Sequence, residues 1–125
     1  MVKLKRIYDT PGPEDGERYL VERLWPRGVS KEAAQISGWL RDIAPSPELR
    51  QWYGHDPERW PEFRRRYMAE LEDEPHQRDV AFLLDRMRSH DITLVFAARD
   101  ELHSSAAVLR EYLLKCVEEA VDDAG

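Results

Sequence analysis

The chain lacks most of the residue patterns that mark catalytic, metal-binding or secreted proteins. It holds one cysteine, Cys116, in 125 residues, so no internal disulfide forms and no cysteine-based zinc cluster can be built. Cys116 falls at helical spacing with Leu109, Leu113 and Ala120, which reads as a buried, inert thiol. The four histidines, His55, His76, His90 and His103, show no HxH or HExxH spacing, so no metal motif is present. No apolar run approaches the ~20 residues of a membrane-spanning helix. MVKLKRIYD leads into strand-like alternation and not into a signal-peptide core, which makes the expected location cytoplasmic. A glycine-rich cofactor loop, a GxSxG elbow and a helix-turn-helix pattern are also missing. Positive charge is not in excess: 19 Lys and Arg against 25 Asp and Glu give a net charge of −6. That balance opposes general binding to nucleic acid, whose affinity comes mainly from neutralising phosphates.

What is present is the patterning of one compact α/β domain over residues 1–125. KLKRIYD reads as a first strand, TPGPEDGE as a loop, and RYLVERLW as a second strand that ends in the turn Pro26 to Gly28. Ser30 is a good N-cap, and Ala33, Ile36, Leu40 and Ile43 predict one amphipathic helix up to Pro45. Ser46-Pro47 opens a short helix that Gly54 can close. Asp56-Pro57 predicts a capped turn, followed by a helix from Pro61 to about Glu74. Val80, Leu83, Leu84 and Met87 give the cleanest helical period, and ITLVFAA reads as a strand buried on both faces. A last helix carries Ala106, Leu109, Leu113 and Cys116. The second and third strands, joined through several helices, must be parallel. The first strand is ambiguous: its short loop to the second favours an antiparallel hairpin. The expected fold is therefore a small, mostly parallel sheet of about three strands covered by helices.

Parallel central strands bring their carboxyl ends to one edge, where ligands of open α/β sheets bind. Arg23, Trp25, Arg27 and Gly28 leave the second strand there. Arg99, Asp100, His103, Ser104 and Ser105 leave the third. At period two Arg23 and Trp25 share a face, and two guanidiniums flanking an indole suit an anionic or flat ligand. Asp100 lies three residues before His103, close enough to orient the imidazole and leave its other nitrogen for general acid or base work. Ser104 or Ser105, with the N-terminal amides of the last helix, could hold a phosphate or carboxylate. The competing structural reading pairs Arg23 with Glu22, Asp100 or Glu101 and makes the serines simple caps. His55 lies beside Trp52 and Tyr53, whereas Asp56 is most simply an N-cap.

Three stretches, RIYDTPGPEDGERYLVERLWPRGVSKE, APSPELRQWYGHDPERW and FAARDELHSSAAVLREYL, resemble the YeaO-like family of bacterial and archaeal proteins, domain of unknown function 488. The resemblance covers almost the whole chain. It implies a compact α/β domain without an established activity, and it favours a parallel first strand. The positions that match the family's motifs are Arg23, Trp25, Arg27, Gly28, Arg50, His55, Asp100 and His103. Glu22 stands where relatives often have aspartate, and Ser104-Ser105 where many have asparagine followed by histidine or glutamine, which weakens a two-histidine mechanism.

The leading expectation is a protein that binds an anionic, phosphorylated or nucleotide-like ligand at the strand carboxyl ends, with turnover left open. Asp100 and His103 would be its catalytic pair, and Arg23, Trp25, Arg27, Gly28, Arg50, His55, Ser104 and Ser105 its ligand-binding set. No metal is expected, and the sequence names no cofactor or oligomeric state. The alternative is a nucleic-acid- or protein-binding module using Arg59 and Arg64, Arg65 and Arg66.

Overall fold

The computed structural model describes residues 1–124, with side chains through Val121. Four parallel strands run in the spatial order β1-β4-β2-β3. These are β1 (Val2–Arg6), β2 (Glu17–Leu20), β3 (Gly38–Trp39) and β4 (Ile92–Phe96). The helices are α1 (Lys31–Ala34), α2 (Pro47–Tyr53), α3 (Trp60–Leu71), α4 (His76–Met87) and α5 (Ser105–Ala124). Every residue of β4 is buried, as its unbroken apolar run predicts. None of the helices is long and apolar enough to cross a membrane among the described residues.

The alternation of strand side chains divides the core into two layers. Tyr19, Val21, Leu94 and Phe96 face the larger layer, packed against Leu49, Phe63, Tyr67, Leu83 and Leu109 from the long helices. Leu20 and Val95 face the other way and meet Ile7, Ala34, Trp25 and Trp39. That second face is covered by the irregular segment after β2 and by short α1, not by a long helix.

β1 is parallel and pairs with β4, so the first two strands do not form a hairpin. A short loop implies a hairpin only between neighbouring strands, and β4 lies between these two. Instead residues 7–16 carry the chain back across β4, a distance that ten extended residues, reaching roughly 33 Å, cover easily. Side chains hold this connection: Thr93 Oγ1 donates to the Asp15 carbonyl at 2.7 Å, and the Asp15 carboxylate receives Lys5 Nζ at 3.0 Å and Arg18 Nη1 at 2.7 Å.

The helix predicted from Ser30 to Pro45 is broken into three pieces. Ser30 caps it as expected, its hydroxyl accepting from Ala33 N. After Ala34 the chain turns through Gln35 in the left-handed region, with φ 47°. Arg18 explains the stop. Its guanidinium takes the Ala34 carbonyl at 2.9 Å and the Gln35 carbonyl at 3.2 Å, capturing the helix end from β2. The chain then enters β3, where Ser37 N donates to Arg18 O and Leu40 N to Leu20 O. An added Cβ on Gly38 would sit 3.2 Å from the Tyr19 ring, so the small residue lets the strands close.

Elsewhere the sequence signals hold. Ser46 caps α2, Gly54 closes it with φ 53°, and Asp56 accepts from Glu58 N ahead of α3. Residues 43–46, between β3 and α2, form a strut tied from three sides. Tyr67 Oη donates to Ile43 O at 2.5 Å, His76 Nε2 donates to Ala44 O at 2.9 Å, and Glu70 accepts from Ser46 N at 2.9 Å.

Candidate functional site

The carboxyl ends of β2 and β4 open into a cavity of about 480 Å³. Its floor is Val21 and Glu22 leaving β2 and Ala97 and Ala98 leaving β4. The strut contributes Ala44 and Pro45 to one wall, and α2 contributes Arg50 and Tyr53. The opposite wall is His103, Ser104 and Ser105 at the start of α5, with Phe63 of α3 behind. The predicted edge of the sheet is therefore concave.

Five sequence-predicted residues meet there: Arg50, His55, His103, Ser104 and Ser105. His55 reaches the cavity because Gly54 and His55 both take left-handed backbone, with His55 at φ 59°, an uncommon conformation for a residue with a side chain. Its ring lies 6.0 Å from that of Tyr53. Asp100 does orient His103: Oδ2 is 2.7 Å from Nδ1, while Oδ1 accepts from the amides of Leu102 and His103. The hydrogen bond from His103 keeps the Asp100 carboxyl below its ordinary range. The pair stands at the rim, half-exposed, with the imidazole edge-on to Trp60 at 5.1 Å. Ser104 is a buried cap whose hydroxyl donates to Glu101 O and accepts from Ala107 N.

Four residues of the RLWPRG turn lie elsewhere. Regular pairing of β2 ends at Leu20 and its last backbone bond is Val21 N to Val95 O, so period-two alternation does not extend to Arg23 and Trp25. Arg23 turns to the strut, where Nη2 donates to the carbonyls of Ala44 and Pro45 at 3.3 and 3.2 Å and Nε is buried without a partner. Trp25 crosses to the second core layer, edge-on to Trp39 at 5.3 Å, with Nε1 donating to Val29 O. Arg27 is exposed, its carbonyl accepting from Tyr8 Oη. Gly28 takes φ 75° in an open turn.

Glu22, which the sequence offers as a partner for Arg23 and as a position where relatives often have aspartate, stands on the cavity floor. Burial pushes its carboxyl above the usual range, while the Arg50 charge and the Ala97 amide pull it back. The informative signal was its place at a strand exit, which flanking arginines obscured. Arg50 itself is exposed and makes no ion pair among the described residues.

The central basic run differs in this respect. Arg64 pairs with Glu111, Arg65 and Arg66 share Glu62, and Arg59 lies 3.6 Å from Asp56. Arg59 and Arg66 also approach the Trp52 ring, at 5.3 and 4.3 Å.

Over residues 1–125 the chain matches a family model described as the inactive DUF488-N3 subclade. It is 42% identical over 112 residues to an uncharacterized protein of Mycobacterium tuberculosis H37Rv, covering 90% of this chain and 92% of the relative. It is 35% identical over 112 residues to the uncharacterized protein YeaO of Escherichia coli K12, covering 90% of this chain and 96% of that protein. No solved structure matches it.

Proposed function

The chain belongs to the inactive DUF488-N3 subclade, and from that premise we propose that its cavity binds a small anionic, phosphorylated ligand without converting it. Arg50 carries this reading. It is a positive charge on the wall of a cavity of about 480 Å³, and no carboxylate among the described residues lies within ion-pair distance of it, Glu22 acting on it only through space. A guanidinium in that state keeps its fork free for an oxyanion. His55, His103 and Ser105 supply further polar groups around the same space. Arg23, Trp25, Arg27 and Gly28 act on this site only through the framework, because Arg23 holds the strut that forms one wall.

Binding without turnover fits the inactive character of the subclade and the state of the hydroxyl that follows His103 in the chain. Ser104 is engaged on both sides as a helix cap, donating to one carbonyl and accepting from one amide, and is poorly placed to act as a nucleophile.

The test is calorimetric titration of inorganic phosphate, ribose 5-phosphate and mononucleotides into the wild type, Arg50→Ala and Arg23→Ala, with melting curves for each. Arg50→Ala should lose binding while its stability stays within about 0.5 kcal/mol, as expected of an exposed residue. Arg23→Ala should instead lower stability by about 2 kcal/mol, because it strips donors from buried carbonyls. Undiminished binding by Arg50→Ala refutes the reading, and a ligand recovered chemically altered refutes its non-catalytic part.

A second reading, a nucleic-acid-binding surface at Arg59 and Arg64 to Arg66, draws support from the two guanidiniums at Trp52. The acidic partner of each arginine reduces the charge left for phosphates. Affinity that falls steeply with salt would favour it.

A further inference from the structure

Simple anion binding leaves Glu22 unexplained. A carboxyl on the floor of an anion site repels the ligand unless it is given something to accept. The Glu22 backbone is held in place, its carbonyl receiving Trp39 Nε1–H at 2.6 Å, and Val21, Ala97 and Ala98 line the cavity with it. The Ala97 amide gives it one hydrogen bond, Arg50 acts on it through space, and burial still favours its neutral form, so the rest of its acceptor capacity is open to a ligand. A ligand presenting N–H donors would restore the ionised form that burial opposes. Tyr53 lines the wall half-buried, backed by the buried Phe63 ring with centroids 4.4 Å apart and planes inclined by 30°, so the Tyr53 ring is the aromatic surface left for a planar group. The cavity volume, about 480 Å³, lies in the range of small-molecule sites and is large enough for one nucleotide.

We infer that the ligand is a nucleoside monophosphate whose base offers adjacent N–H donors, as guanine does, with the base against Tyr53, its N–H edge on the Glu22 carboxylate, and the phosphate at Arg50. This rests on the anion-binding reading and adds to it the part of the ligand that is not an anion. It makes Glu22 the residue that determines specificity and Arg50 the anchor. A site built to accept hydrogen bonds discriminates strongly against analogues without the donors, because its buried acceptor is then left unpaired.

The probes are guanosine monophosphate, inosine monophosphate, which lacks the exocyclic amine, and ribose 5-phosphate, which lacks the base. Each is titrated calorimetrically into the wild type, Glu22→Gln and Arg50→Ala. In the wild type the guanine nucleotide should bind tightest, the inosine nucleotide next, and ribose 5-phosphate roughly tenfold or more below the first. Glu22→Gln should remove the advantage of guanine and leave ribose 5-phosphate unchanged or tighter, since a repelling charge is gone. Equal affinity for guanosine monophosphate and ribose 5-phosphate in the wild type overturns this inference while leaving the anion site standing. That comparison needs no variant and holds even if Glu22→Gln does not fold. An equal loss of all three ligands in Glu22→Gln also overturns it. If none of the three binds, or if binding ignores Arg50→Ala, the anion site falls and the inference with it.

Discussion

Replacing Arg18 by methionine is the most demanding check on how this fold is held together. Arg18 lies on β2 with 4% of its surface exposed, and Asp15 with 3%. Its guanidinium makes the 2.7 Å bond to Asp15 Oδ2 and three bonds to the Ala34 and Gln35 carbonyls, at 2.9, 3.2 and 3.2 Å. Methionine keeps most of the stem's packing and removes every one of these bonds. Breaking one partner of a buried ion pair costs about 3–5 kcal/mol, because the other charge is left without compensation. Lys5, at 3.0 Å, and the Gly12 amide, at 3.1 Å, still serve Asp15, so the lower end, about 3 kcal/mol, is expected. For a domain of this size that corresponds to a fall in Tm of about 10–15 °C. It is a large share of the ~5–15 kcal/mol that keeps a domain folded. The assay is urea unfolding followed by fluorescence, paired with calorimetric melting. Removing Asp15 as well, in Arg18→Met with Asp15→Asn, should recover part of the loss, because the stranded charge is gone while the freed Ala34 and Gln35 carbonyls remain. A cost below about 1 kcal/mol for Arg18→Met would refute the reasoning, since it would mean that α1 terminates and β3 pairs without the capture of those carbonyls.

Two further predictions concern other parts of the frame. Gly16→Ala should destabilise by about 2–3 kcal/mol in denaturant unfolding. The position has φ 65°, and an added Cβ would stand 2.2 Å from the Asp91 carbonyl oxygen, so backbone must move at the start of β2. Glu17 is held at about 2 by the hydrogen-bonded Arg86 guanidinium, below an ordinary value of 4.5. Its contribution is therefore complete above pH ~4.5 and is lost as pH falls toward ~2. Melting curves across that window should show a flatter acid limb for Arg86→Gln than for the wild type, and an unchanged limb would deny the pairing a role.

The sequence by itself determined the fold class, the parallel relation of β2 and β4, and the edge at which their ends meet. These follow from local facts: an apolar run long enough for one strand, helical periods between the strands, and serine, aspartate, proline and glycine at the ends of α2 and α3. It also determined the Asp100–His103 pair, because a spacing of three residues in a turn is enough to join them. Only tertiary structure decided which face each remaining side chain uses. The period that suggested a helix from Ser30 to Pro45 is overruled by Arg18, a residue far outside that window. The alternation that placed Arg23 beside Trp25 stops when β2 ends, and their separate destinations, the strut and the Trp39 layer, are set by long-range partners. In the same way Arg50 and the Arg64 to Arg66 run look alike as letters. Glu62 stands three and four residues before Arg65 and Arg66, a local spacing that pairs them within α3, whereas the reach of Glu111 from α5 to Arg64, and the lack of any such carboxylate at Arg50 among the described residues, depend on elements far apart in the chain.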